Sequence, residues 1–229
     1  MKTVIITGAN GNLGTAVTNE FLAKGYTVAA TVLHDHLKSG IGRHPNLHIT
    51  TVDLNDEQAT HAFVQSAIEQ YKTIDAALLL VGGFAMGDVA GTSAGDIRKQ
   101  LALNFETAYH VVQPLLPHML ANNHGRMVFI GARPALEPAS GKDMIAYGLS
   151  KSLLFKLAEY INAGAKGKDV TAAVIAPSTL DTPANRQSMP DTDPSIWVKP
   201  EVLAGILEFI VSDSSGPLRE TVLKVYNNA

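Results

Sequence analysis

The chain has 229 residues, 46% of them hydrophobic, enough to bury a substantial core and within the range where an α/β fold remains one domain. A net charge of −3 gives no broad attraction to nucleic-acid backbones or anionic membrane surfaces, so neither is expected as a partner. The absence of cysteine excludes disulfides, thiolate catalysis and Cys-based zinc sites, and the first apolar run ends at Thr7-Gly8, too short for a signal peptide or a membrane span, so a cytoplasmic location is expected.

In chain order, β-branched and aliphatic runs predict strands at 3–7, 27–32, 48–52, 76–81, 126–130, 171–175 and 218–225, with helical patterns between successive members. That alternation predicts a single-domain (1–229), Rossmann-like α/β fold, a doubly wound parallel sheet of about seven strands with helices on both faces. Such sheets bind ligands beyond the carboxyl ends of their strands, so the residues just after each run matter most.

After the first strand comes Thr7-Gly8-Ala9-Asn10-Gly11-Asn12-Leu13-Gly14, followed by an amphipathic stretch over 15–24. Gly8 suits a sharp turn, Gly11 lets backbone approach a pyrophosphate and Gly14 lets helix and sheet pack closely, while Asn10, Asn12 and Leu13 complete a loop that leads into a helix amino terminus. An ordinary glycine turn is the plain alternative; the position directly after the first strand favours a dinucleotide. The second strand ends at Val32, where an acidic residue would hold the adenosine ribose, and no carboxylate is expected there to repel a 2′-phosphate. His34, His36, Lys38 and Arg43 offer attraction to one, which favours NADP(H) over NAD(H) without excluding the latter. The two histidines lack a third ligand, and no metal site is expected.

After the third strand, Asp53-Leu54 places a carboxylate where it can accept from an adenine amino group or, equally, cap the helix beginning near Asp56. After the fourth, Val81-Gly82-Gly83 presents a surface without side chains against which a ribose can lie. Tyr147 and Lys151 stand four apart at the head of a helix running to about Ala163, hence on one face. An ammonium beside a phenol stabilises the phenolate, so Lys151 is expected to lower the Tyr147 pKa and make it a proton donor to a group receiving hydride. Finally, 177–199 holds Pro177, Pro183, Pro190 and Pro194, which argue against a continuous helix and for a long loop serving as a substrate-side lid.

Taken in order, the glycine loop, Asp53-Leu54, Asn104 in Leu103-Asn104-Phe105, the Tyr147 to Lys151 motif and Pro177 with Thr182 resemble the short-chain dehydrogenases/reductases over nearly the whole chain. The resemblance implies Tyr147 as general acid/base, Lys151 as ribose ligand that lowers the phenol's pKa, Asn104 as support for a proton relay and Thr182 as a contact for the nicotinamide end. The sequence departs from that pattern in three places. Asn12 and Gly11 alter the usual glycine spacing, Val81 stands where an asparagine is usual, and Gly131-Ala132 occupy the place of the serine that binds a substrate carbonyl.

The dihydropteridine reductase branch lacks that serine too. The chain resembles it in Gly131-Ala132 with Ala135-Leu136, in Met144-Ile145-Ala146-Tyr147-Gly148, and in Leu180-Asp181-Thr182-Pro183-Ala184-Asn185-Arg186-Gln187-Ser188-Met189-Pro190 through to Trp197. Reduction of a quinonoid dihydropterin or a similar flat acceptor is the function this implies, with Val32 a mismatch to the branch's usual acidic residue and NADH preference. A carbonyl or 3-oxoacyl thioester reductase, using Ser140 or Arg133 as the missing donor, is the alternative within the family; a non-catalytic NAD(P)-binding sensor is the alternative outside it. The substrate is expected to be a small molecule. The resemblance also implies a homodimer, or a homotetramer, formed through helices over 104–122 and 147–163.

Overall fold

The structure, a computed structural model, describes residues 1–36 and 41–228. The apolar runs form β1 (Thr3–Ile6), β2 (Thr27–Val32), β3 (Leu47–Thr51), β4 (Ala76–Leu79), β5 (Gly125–Ile130), β6 (Val170–Pro177) and β7 (Val222–Val225). They pair in parallel throughout, in the order β3-β2-β1-β4-β5-β6-β7. The helices are α1 (Asn12–Ala23), α2 (Glu57–Tyr71), α3 (Ala94–Leu101), α4 (Thr107–Ala121), α5 (Arg133–Leu136), α6 (Pro138–Gly141), α7 (Ile145–Gly164), α8 (Pro183–Ser188) and α9 (Pro200–Val211).

The period of two along each strand divides its side chains between two cores. Ile5, Ala77, Leu79, Met127 and Phe129 pack under α2, α4 and α7, whereas Val4, Ile6, Leu78, Val128 and Ile130 pack under α1 and α9. β1, β4, β5 and β6 are buried along their whole length, as central strands of a sheet covered on both faces must be. The fold is therefore the doubly wound, Rossmann-like sheet expected, and among the described residues no helix is long and apolar enough to cross a membrane.

Three local expectations are corrected. Between β2 and β3 the described residues form no α-helix. β7 starts at Val222 instead of 218, because the preceding residues are spent on a turn in which Leu218 N–H donates to Ser215 O and Glu220 adopts φ 53°. The stretch 177–199 holds the short helix α8 and a 3-10 turn at Pro194–Ile196 instead of an unbroken loop, and a bridge between Leu180 and Val198 ties its two ends together.

The amino ends of the strands are stitched by charge. Asp75 Oδ2 accepts from Thr3 N–H at 2.6 Å, and the His124 imidazole lies 3.4 Å from Asp75 and 3.0 Å from Asp169. The buried Arg126 donates to Asp169 Oδ1 at 2.7 Å and to the Asp169 carbonyl at 2.8 Å. The carboxyl ends, by contrast, carry glycines and the residues singled out for chemistry.

Candidate active site

The turn from β1 to α1 is built to approach a ligand closely. Gly8 has φ 64°, and a Cβ at Gly14 would lie 2.1 Å from Gly8 O, so the loop can fold back on itself only without a side chain there. Helix α1 starts from Gly11 with no side-chain cap and no acidic residue in its first turn, leaving its amino-terminal N–H groups directed at whatever lies in front of the loop. Asn12 is exposed, Asn10 and Leu13 are half-buried, and Thr7 Oγ1 accepts from Leu80 N–H at 2.9 Å, fastening the end of β1 to the end of β4.

At the end of β2, Val32 is buried and the turn beyond it stacks the His34 and His36 rings 5.6 Å apart. The expectation of no carboxylate here is overturned: Asp35 lies between the two histidines, its Oδ1 accepting from Thr51 Oγ1 at the end of β3. Arg43 is exposed, and Lys38 lies outside the described residues. Asp53 does not cap α2. That role falls to Asp56, which accepts from Ala59 N–H at 3.0 Å, while Asp53 Oδ1 accepts from the backbone and side-chain nitrogens of Asn55. Leu54 is buried in the core, and its carbonyl lies 2.8 Å from His110 Nδ1.

Gly82 and Gly83 form a bare wall. A Cβ at Gly82 would come 2.6 Å from Asn104 Oδ1 and 2.9 Å from Lys151 Nζ, so the backbone here is in touch with both. Asn104 sits in a wide π turn, Ala102–Glu106, between α3 and α4, and Lys151 Nζ donates to Ile130 O at 2.8 Å. The structure thus brings Gly82, Gly83, Asn104, Tyr147 and Lys151 together at the carboxyl ends of β4 and β5. The glycine loop and this wall are free of the side chains that would bar a dinucleotide, which makes them a fit for one.

Burial shifts both titrating groups. It pushes the Tyr147 phenol up to about 12 and the Lys151 ammonium down to about 8. The expected lowering of the phenol by its neighbour is not what the fold produces: desolvation of the ring is the cause at work, although part of the Tyr147 surface stays open. At neutral pH the phenol is protonated and the ammonium still mainly charged. Phe84, on the loop after β4, sets its ring edge-to-face on Tyr147 at 5.2 Å and is 60% exposed.

The place of the missing serine has been filled. A Cβ at Gly131 would lie 2.7 Å from the Phe155 ring and 2.8 Å from Val174, and the Ala132 methyl is buried. Both residues offered as replacement donors turn to Glu137: Arg133 Nε donates to its carboxylate at 2.7 Å and Ser140 Oγ lies 3.5 Å away. The Arg133 guanidinium also covers the Tyr226 ring at 4.9 Å. Its hydrogen bond holds the Glu137 carboxyl below the usual carboxylate range. Pro177 ends β6, and Thr182 caps α8, its Oγ1 accepting from Asn185 N–H at 3.2 Å. Asn12 and Thr182, far apart in sequence, line one cavity of about 330 Å³ with Arg186 and Lys199. Asp181 grips Arg186 with both carboxylate oxygens, at 2.6 and 2.9 Å.

Sequence reasoning missed Phe84, Glu137, Gln100, Ser150 and Asp35. Gln100 and Ser150 carried a faint signal, standing one helical turn from Asn104 and Tyr147. Glu137 stands four residues after Arg133, a spacing that was legible in the same way, whereas Phe84 carried no signal, because its partner Tyr147 lies on another element.

Comparison with known proteins agrees with this geometry. Residues 2–193 match the short chain dehydrogenase family. A dihydropteridine reductase from Dictyostelium discoideum is 25% identical over 231 residues, covering 97% of this chain and 94% of that protein. The 3-oxoacyl-[acyl-carrier-protein] reductase MabA of Mycobacterium tuberculosis is also 25% identical, over 236 residues, covering 98% of this chain and 91% of MabA. The solved structure of ElxO with NADP bound shares the fold at a TM-score of 0.89 and 21% identity, covering 98% of this chain and 96% of that one. A family match over most of the chain, on a sheet of this topology, makes it a member of the short-chain dehydrogenase/reductase family and an NAD(P)H-dependent oxidoreductase.

Proposed function

We propose that the enzyme reduces a quinonoid dihydropterin or a closely similar flat, conjugated acceptor, with Tyr147 as proton donor, Lys151 as ribose ligand and charge partner, and Asn104 as support for the proton path. The observation that carries this reading is the serine-less floor at Gly131-Ala132, closed by Phe155 and Val174. A ketone becoming an alkoxide needs a second hydrogen-bond donor at that place, whereas an electron-poor ring that accepts hydride and one proton does not. The bound nicotinamide supplies the hydride. Tyr147 is protonated at neutral pH and so holds a proton to give; burial makes it a weaker acid than a free phenol, and the charged Lys151 one turn away is assigned to offset that as the proton leaves. The exposed ring of Phe84, edge-on to Tyr147, offers a face for a planar substrate. Asn12, Leu13 and the α1 amino terminus are assigned to the pyrophosphate, Gly82 and Gly83 to the ribose side, Asp53 to the adenine amino group, and Pro177 with Thr182 to the nicotinamide end, under 177–199 as the substrate-side lid.

NADP(H) is the favoured cofactor, NAD(H) the alternative. Val32 leaves the ribose position apolar, and His34 and His36 stand just after the end of β2, with Asp35 turned to Thr51. A homodimer is proposed through α4 and α7, which expose Tyr109, Leu149, Leu153 and Tyr160, with a homotetramer as the larger form. MabA matches at the same identity as the dihydropteridine reductase, which favours reduction of a 3-oxoacyl thioester as a second reading, with Ser140 or Arg133 leaving Glu137 to supply the donor. A sensor without catalysis has no use for a buried phenol and ammonium at one wall.

The test follows nicotinamide absorbance with NADPH or NADH and quinonoid dihydropterin, beside a panel of 3-oxoacyl thioesters and small ketones. Rapid turnover of the pterin, lost by roughly a hundredfold or more in Tyr147→Phe with cofactor affinity unchanged, is expected. Turnover of thioesters alone would overturn the pterin assignment, and cofactor binding without any turnover would favour the sensor.

A further inference from the structure

The Asn104 side-chain NH2 has no spare donor. Oδ1 accepts from Gly83 N–H at 2.9 Å, and Nδ2 donates to Gly83 O at 3.0 Å. The same nitrogen faces Gln100 Oε1 at 2.8 Å and Ser150 Oγ at 3.1 Å. The two bonds to Gly83 settle which end of the amide is nitrogen, so Gln100 must present its oxygen. Ser150 spends its only proton on Tyr147 O at 2.8 Å and can therefore only accept from Asn104. Two amide hydrogens serve three acceptors, one of them shared.

The two outer partners are costly to keep. Gln100 is the one buried residue of α3, 4% exposed, and Ser150 is fully buried in α7. A buried amide or hydroxyl stabilises nothing by burial itself and must be hydrogen-bonded to be tolerated. Here each is bonded to Asn104, and each comes from a different element. Because the Gly82 backbone touches both Asn104 and Lys151, the orientation of this one amide sets where the bare wall stands relative to Lys151, and Ser150 ties the same amide to the turn that carries Tyr147.

We infer that Gln100 and Ser150 are positioning residues of the reaction centre: they lock the Asn104 amide and, through it, hold Gly82-Gly83 in register with Tyr147 and Lys151. The inference rests on the reading that Tyr147 and Lys151 perform the chemistry. Neither Gln100 nor Ser150 needs to touch a substrate. Displacements well under an ångström at such a wall are enough to cost rate.

The test compares Gln100→Leu, which removes the acceptor at similar size, with Gln100→Glu, which keeps an acceptor oxygen, and Ser150→Ala, a smaller change that folds even if a leucine at 100 does not. Two quantities are read: hydrogen exchange at the Gly83 amide, and kcat and KM on whichever acceptor is turned over. Gln100→Leu and Ser150→Ala are expected to speed Gly83 exchange roughly tenfold and lower kcat roughly tenfold, with KM for the cofactor changed less than about threefold. Gln100→Glu should recover most of both, and Gln100→Leu added to Asn104→Ala should cost nothing further. Unchanged Gly83 exchange in folded variants, or a full additional loss in the Asn104→Ala background, would overturn the inference. Exchange needs no turnover, so a failure to find any acceptor condemns the proposed reaction and leaves the clamp to be judged on Gly83 alone.

Discussion

Lys151 shows how far one residue can be pushed by its surroundings. Its place one turn after Tyr147 was legible in the sequence, because four-residue spacing on a helix needs no tertiary knowledge. Its electrostatics were not legible. Spacing suggested an ammonium lowering a phenol, whereas packing over the end of β5 desolvates both groups and shifts them in opposite directions. A lysine lowered from 10.5 to about 8 costs the fold about 3 kcal/mol at neutral pH, by the conversion of pKa shifts to free energy. Lys151→Met should therefore be inactive yet more stable at pH 7, by up to that amount. The folded chain binds fewer protons at Lys151 than the unfolded chain between about 8 and 10.5, so the parent gains stability as pH rises through that window and the gap to Lys151→Met closes. Denaturant unfolding at pH 7 and pH 9.5 measures it. Over the same rise through about 8, kcat for reduction should fall as Lys151 loses its charge; a rate flat from pH 7 to 9.5 would contradict the assigned role.

At the scale of elements, strand positions were read well, since runs such as Val4-Ile5-Ile6 and Val128-Phe129-Ile130 are apolar on both faces and short. The segment 177–199 was read less well. Four prolines signalled the end of regular structure, but Pro183 is the first residue of α8, where its fixed φ and missing N–H are tolerated. The family resemblance implies Thr182 as a cofactor contact; in the structure it caps α8 and lines the cavity shared with Asn12. Separating the two is straightforward. Removing a threonine cap costs about 1 kcal/mol, here at a helix of six residues. Thr182→Ala should raise KM for the cofactor roughly fivefold while shifting Tm by about 2 °C or less. Thr182→Ser, which keeps the capping oxygen, should restore KM. A Tm loss as large as that of a core variant would mean α8 is a structural support instead of a movable cover.

Across the whole molecule, the two ends of the sheet carry different burdens. The doubly wound topology was legible from alternation alone, and with it the rule that ligands gather at the carboxyl ends. What holds the amino ends was invisible, because Asp75, His124, Arg126 and Asp169 come from segments up to 94 residues apart and meet only in the folded sheet. Burial alone would raise the Asp169 carboxyl, but hydrogen bonds from His124 and Arg126 and their charges outweigh it and hold it below its ordinary value. Asp169→Ala leaves the buried Arg126 guanidinium with carbonyl partners only and should cost about 2 kcal/mol, lowering Tm by roughly 5 °C. Because the stitch lies at the opposite ends of the strands from Tyr147, kcat and KM at 25 °C should not change. A depressed carboxyl contributes stability that is present above its unfolded value and lost as pH falls through the folded one, so the parent should lose its advantage over Asp169→Ala below about pH 4. A variant that unfolds normally but turns over slowly would show that the charge network reaches the site and that the two ends are coupled through the strands between them.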